Sequence, residues 1–201
     1  MDIATLCNWG LLIILIIGLF YAVFKLFEKS KPTVENIVII ALLIAIAIIG
    51  TLPTAAVPGL QIASFIIIMT GIVFGRQTGF ITGVLTPVVI GLFSGLGFWT
   101  LFQMLGFGLM GLTAGILAPK LENNTYLRVA FGFIWGLLYG WITNISMFPF
   151  LQEINMGTII GVYASSLVFD LMHGIVTAIL LVALFGTFKR IFSRAKENYF
   201  N

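Results

Sequence analysis

Asp170 and His173 stand three residues apart in a run, 154–188, that holds no other Asp, Glu, His, Lys or Arg. At that spacing they share one face of a helix. Each is the natural local partner of the other, because a carboxylate in an apolar helix is costly unless paired. A second pair, Trp99 and Gln103, has i,i+4 spacing and sets an aromatic ring one turn before a lone amide. Asn144 follows Trp141 by three residues on one side of another apolar helix, and Gln61 opens a further one just after Pro58-Gly59. Amides and one Asp–His pair can orient a ligand by hydrogen bonds, and a tryptophan can stack on it. Trp99, Gln103, Asn144, Asp170 and His173, with Gln61 and Trp141 at the margin, are therefore the expected lining of one pocket. Tyr163 and Phe98 are weaker candidates, placed by position alone.

The same inventory speaks against catalysis. A two-aspartate intramembrane protease needs a second aspartate within the membrane, and Asp170 stands alone there. A membrane serine protease needs Gly-x-Ser-Gly, whereas Gly91-Leu-Phe-Ser-Gly95 carries one residue too many. One histidine and one aspartate do not make a metal set of three or four ligands. No Gly-x-x-x-x-Gly-Lys-[Ser/Thr] loop occurs, so ATP hydrolysis by this chain is not expected. Cys7 has no second cysteine to pair with and reads as an apolar filler. No cofactor is expected.

The elements that hold these residues are membrane helices. The chain is 60% hydrophobic and 8% charged, with a mean hydropathy of +1.15, which no soluble domain of this length would show. The apolar runs far exceed barrel strands. Residues 3–24 can span, since about 20 apolar residues suffice. Asp2 before them and Lys25, Lys29 and Lys31 after them are the reverse of a cleavable signal. Pro32 and Glu35 suit the first turn of the next helix. Pro53 and Pro58-Gly59 divide 36–75 into helices at about 36–52 and 60–75. Ser94-Gly-Leu-Gly97 divides 77–119, and Pro149 ends a span over 129–147. The segment 148–161 is expected as a flap over the mouth of the protein, and a last span runs over 163–188.

Seven spans result, with an outside N-terminus and a cytoplasmic C-terminus. All ten basic residues then fall on one side, as the positive-inside rule requires. Gly71-xxx-Gly75-xxx-Gly79-xxx-Gly83, Gly111-xxx-Gly115 and Gly132-xxx-Gly136-xxx-Gly140 supply small-residue ridges for helix packing. Ala41 and Ala45, with Ala47 beside them, make a smooth strip on the second span that serves either internal packing or docking.

Several of these motifs occur together in a known family. Thr70-Gly-Ile-Val-Phe-Gly75 with Gly79-Phe-Ile-Thr-Gly83 after the proline-glycine turn, Gly97-Phe-Trp-Thr-Leu-Phe-Gln-Met-Leu-Gly-Phe-Gly-Leu-Met-Gly111, and Phe169-Asp-Leu-Met-His-Gly174 resemble the substrate-binding S-components of energy-coupling factor (ECF) vitamin transporters. The similarity covers roughly residues 33–190, and the nearest subgroup takes cobalamin. The resemblance implies an all-α membrane bundle of six helices over 31–201, preceded here by an added transmembrane helix and cytoplasmic linker in 1–30. It implies a multi-pass cell-membrane subunit that binds a vitamin from outside. It also implies docking, through Ala41 and Ala45, on a transmembrane coupling subunit carrying two ATPases. The competing expectations are a structural or regulatory membrane subunit whose polar groups only clasp helices, or an S-component for a different small vitamin.

The topology is open to direct measurement. Cysteine introduced at Gly97 or Glu153 should react with an impermeant thiol reagent in intact cells, and cysteine at Asn123 should not. Labelling at 123 would invert the assignment.

Overall fold

The computed structural model describes residues 3–29, 31–54, 56–57 and 59–199. Asp2 and Pro58 lie outside the described residues, as does the side chain of Cys7. The helices are α1 (Ile3–Lys29), α2 (Val34–Thr51), α3 (Ile62–Phe74), α4 (Arg76–Ser94), α5 (Phe98–Ile116), α6 (Ala118–Asn123), α7 (Thr125–Asn144), α8 (Met156–Ala183) and α9 (Phe185–Tyr199). A 3-10 turn, Ile145–Phe150, extends α7. The described chain is an all-α membrane bundle with no strand.

Six of these helices are long and apolar enough to cross a membrane: α1, α2, α4, α5, α7 with its 3-10 extension, and α8. The seventh expected span, 60–75, is not full length. α3 has 13 residues, and 12 of them are buried. At 1.5 Å per residue it is about 20 Å long, short of a hydrocarbon core of about 30 Å. Its uncharged sequence, apolar but for Ser64 and Thr70, follows from burial on every side, since α2, α4, α5 and α9 surround it.

Glycine decides how closely the helices approach. Gly75 alone joins α3 to α4, with φ of +94°, a value that favours residues without a Cβ. The two helices then cross α5 at one point. A Cβ on Gly71 would overlap the Gly111 carbonyl, and one on Gly111 would overlap the Gly79 carbonyl. Further along the same seam, Gly83 meets the backbone of Phe107. The second ridge pairs α7 with α8 in step: Gly132 faces Leu181, Gly136 faces Gly174, and Gly140 faces Asp170.

α1 leans on this body rather than entering it. Ile16, Phe20 and Val23 pack in a cluster with Ile40, Ile44 and Phe80, and the Phe20 ring meets Phe80 edge-on at 6.0 Å.

The last expected span, 163–188, is displaced in the structure. α8 starts at Met156 because Asn155 caps it, accepting from the Thr158 amide at 3.0 Å while Thr158 Oγ1 accepts from the Asn155 amide. It ends at Ala183, and the basic tail folds into a separate amphipathic helix, α9. Phe188 and Phe192 of α9 pack on Phe65 and Phe74 of α3. Lys196 donates to the Val73 carbonyl at 2.7 Å, meeting the C-terminal end of α3 with a cation. Arg128 donates to the Leu121 carbonyl at 2.8 Å and stacks 3.6 Å above Phe185. Lys189 pairs with Glu122 at 2.7 Å. The chain alternates between two ends, so all ten Lys and Arg residues fall at one of them. The other end holds loops 52–61, 95–97 and 151–155.

The crossing of α3, α4 and α5 makes a clear prediction. Gly111→Leu should destabilise the bundle by about 1–3 kcal/mol or more, the usual range for overpacking. Gly161→Leu, at a glycine with open space around it, should stay within about 0.5 kcal/mol. Thermal unfolding of the two detergent-solubilised variants checks both.

Candidate functional site

At the end opposite the basic residues, a cavity of about 200 Å³ lies beneath loop 52–61. Leu52, Val57, Gly59, Leu60 and Gln61 line it from the loop, and Thr51 lines it from the end of α2. Pro87, Ile90 and Ser94 come from α4, Gln103 and Phe107 from α5, Tyr139 from α7 and Phe169 from α8. Pro87 sits inside α4, where its ring breaks the regular backbone ladder at the cavity wall.

Loop 52–61 is anchored at both ends. Thr54 Oγ1 lies within hydrogen-bonding distance of the carbonyls of Gly50, Thr51 and Leu60. Thr51 Oγ1 accepts from the Ala63 amide at 2.9 Å. Gly59, with φ of +78°, lies against the backbone of Phe169 and His173, and a Cβ there would strike Met172. The loop can therefore close the cavity onto α8 only through a glycine.

The aromatic wall is layered. Tyr139 stacks on Phe107 with ring centroids 4.2 Å apart and planes at 22°. Gly106 leaves room for the Tyr139 ring, which a Cβ would approach to 3.0 Å. Thr143 Oγ1 returns to the Tyr139 carbonyl at 2.9 Å, and Gln103 lines the cavity beside the Tyr139 ring. Behind Tyr139, the His173 ring meets it edge-on at 5.1 Å. Gln61 is not consumed in capping α3, so its amide is available to the cavity.

The residues singled out from the sequence divide into three groups. Gln61 and Gln103 line the cavity. Trp99 does not: its indole folds back over Gly97, leaving it 42% exposed, although it follows the helical spacing that places Gln103. Trp141 is also exposed, faces Tyr163 edge-on at 6.3 Å, and belongs to an open apolar groove along α7 and α8.

Asn144, Asp170 and His173 are buried or half-buried polar groups engaged with other helices. Asp170 and His173 do not pair with each other, contrary to the expectation from their spacing. Asn144 Nδ2 donates to Ser166 Oγ at 2.7 Å, and Ser166 donates in turn to Asp170 Oδ2 at 2.8 Å. Asp170 Oδ1 has no hydrogen-bond partner among the described residues and lies against Gly140. His173 Nε2 sits 2.6 Å from Ser64 Oγ on α3. The i,i+3 offset brings the two residues to one face, but Asp170 is taken by Ser166 one turn earlier on α8, which Asn144 of α7 joins, and His173 by Ser64 of α3.

Sequence reasoning missed Tyr139, Phe107, Phe169 and Pro87. Two signals pointed to them: a proline within an uncharged span, and a tyrosine hydroxyl on a glycine ridge, which needs a partner once buried. The expected flap also differs. Residues 145–155 pack sideways, with Phe150 against Phe98 and Phe148 against Tyr163, and loop 52–61 covers the cavity instead.

The description of the ECF transporter substrate-specific component matches residues 35–185. The chain belongs to that family. It is therefore a multi-pass membrane transport subunit, and membership implies an ECF coupling subunit and ATPase subunits as its partners. α1 lies outside the matched residues. Neither the curated proteins nor the solved structures contain a match to the chain.

The geometry separates two variants that the sequence treated alike. Gln103→Leu should weaken ligand binding by about 1–3 kcal/mol, roughly five- to more than a hundredfold, with little change in apo melting temperature. Asp170→Ala should lower the melting temperature, because Ser166 loses its acceptor and the hydrogen-bonded chain that starts at Asn144 loses its end, and leave affinity unchanged in the protein that survives. Affinity and apo melting measured on both variants check the pair; a stable Asp170→Ala protein with lost affinity would return Asp170 to the site.

Proposed function

We propose that this chain is the high-affinity capture subunit of an ECF-type importer for a vitamin-like small molecule, bound in the cavity under loop 52–61. The single observation behind this reading is that cavity. In a family of substrate-specific subunits, it is the place where amides from two elements, Gln61 and Gln103, meet aromatic walls at one end of the bundle. Mostly apolar linings with a few oriented polar groups are what ligand sites require. The concentration of basic residues at the other end assigns that end to the cytoplasm by the positive-inside rule. The cavity then faces outward, the N-terminus is outside and the C-terminus is cytoplasmic.

Release inward would depend on a coupling subunit with two ATPases, since the chain has no phosphate loop of its own. Ala41 is exposed and Ala45 half-buried on α2, beside the exposed Ile37, Val38, Leu42 and Ile49. Ala47 is fully buried and leaves the strip, having turned toward α3. A smooth open strip of this kind supports docking better than internal packing. The helix-clasp reading survives for Asn144, Ser166, Asp170 and His173, which the α7–α8 and α3–α8 hydrogen bonds favour.

Ala41→Trp should leave ligand binding by the purified chain intact while preventing recovery of the coupling subunit and abolishing uptake, because bulk forbids close helix approach. Lost binding with assembly preserved would show that the strip serves the site instead. Stoichiometric ligand on the purified wild-type chain, absent after Gln103→Leu, tests the capture role itself.

A further inference from the structure

Two properties of the cavity narrow what it can hold: its charge and its size. None of its lining side chains is ionisable apart from the Tyr139 phenol. The nearest carboxylate along the chain, Asp170, is 1% exposed and already receives the Ser166 hydroxyl. Every lysine and arginine lies at the far end of the bundle, separated from the cavity by at least the length of α3, about 20 Å. His173, behind Tyr139, is fully buried and engaged with Ser64, so a charged ligand in this space would meet no counter-charge on the lining side chains, and an unpaired charge taken out of water is costly.

The volume is about 200 Å³, and a cavity of about 150 Å³ accepts benzene. That leaves room for one six-membered ring with small substituents. A corrin macrocycle, several such rings across, exceeds this volume, so the cavity favours a smaller substrate than cobalamin. The walls suit a flat ring, because Phe107 and Tyr139 present stacked aromatic surfaces. Gln61 and Gln103 each offer a donor and an acceptor on one side chain, the complement of a carboxamide, a lactam or a ring nitrogen beside a hydroxyl.

From this we infer that the substrate is a compact, uncharged ring compound carrying an amide-like donor and acceptor pair, held between the Gln61 and Gln103 amides against the Phe107–Tyr139 wall. The inference rests on the capture role proposed above and specifies its substrate class.

The test uses the full-length chain, purified from cells grown in complete medium, with the bound compound released by denaturation and identified by mass spectrometry. A stoichiometric small ring compound that is neutral at pH 7 is the expected result. A corrinoid, a carboxylate, a phosphate or a cationic compound would overturn the inference and leave the capture role standing. If no compound is released, recovery of a coupling subunit with the chain separates the cases: the substrate class alone falls if the subunit is recovered, and both readings fall if it is not.

Charge variants give an independent reading. Gln103→Glu and Gln103→Lys should each reduce the retained compound roughly tenfold or more, the scale of an unpaired buried charge. Increased retention by the lysine variant would mean an anionic ligand, and by the glutamate variant a cationic one; either would overturn the inference. Should a charged variant fail to fold, the compound bound to the wild type still decides.

Discussion

The structure depends on close backbone contact between helices in a solvent that does not drive them together. Lipid tails are as apolar as leucine, so burying side chains against a neighbour gains little, and association rests on van der Waals packing and interhelical hydrogen bonds. In this chain the contact is concentrated where Gly71, Gly79 and Gly111 bring α3, α4 and α5 together. That crossing holds the short α3 in the centre of the bundle. Because α3 ends before it can span, loop 52–61 must descend to reach it, and the space under that loop is the cavity. A longer α3 would remove the descent and the cavity with it.

The second consequence of the same solvent is a division of labour among polar groups. Thr70 and Thr86 return their hydroxyls to the carbonyls of Ile66 and Thr82 within their own helices, which satisfies them without a partner helix. Asn144, Ser166 and Asp170 form a hydrogen-bonded chain between α7 and α8 at the point where Gly140 allows contact. His173 reaches across to Ser64. What remains for a ligand is the set these networks do not use: the amides of Gln61 and Gln103 and the aromatic wall beside them. The costly carboxylate is locked into the scaffold and the inexpensive amides face the cavity, which keeps the site neutral.

The basic end is organised by different physics. Lys196 at the α3 terminus, Lys189 on Glu122 and Arg128 over Phe185 tie α9 to the loops where water and headgroups meet the bundle. These contacts hold α9 against α3 from the end opposite the cavity. The most buried helix is therefore fixed at both ends, by α9 at one and by loop 52–61 at the other.

By itself the sequence determined the membrane class, the number and order of the apolar helices, the alternation that gathers ten basic residues at one end, and the family. Each of these is written in local composition, in period, or in residues placed at helix ends. Ser94-Gly-Leu-Gly97 marked its turn because backbone conformation there is a property of the residue, Gly95 taking a φ of +102°. Partner choice was not legible. Asp170 and His173 satisfy the i,i+3 rule for a pair, yet Asp170 takes Ser166, an i,i+4 neighbour on its own helix that Asn144 of α7 also meets, and His173 takes Ser64 of α3, whose position no local spacing encodes. Trp99 and Gln103 share a face in the same way, but only Gln103 points into the cavity, since the turn at Gly97 draws the indole back over itself. Tyr139, Phe107 and Phe169 became a wall only when glycine contacts set α5, α7 and α8 at their distances. Tertiary structure decided which polar groups were left over, and the leftover groups are the candidate site.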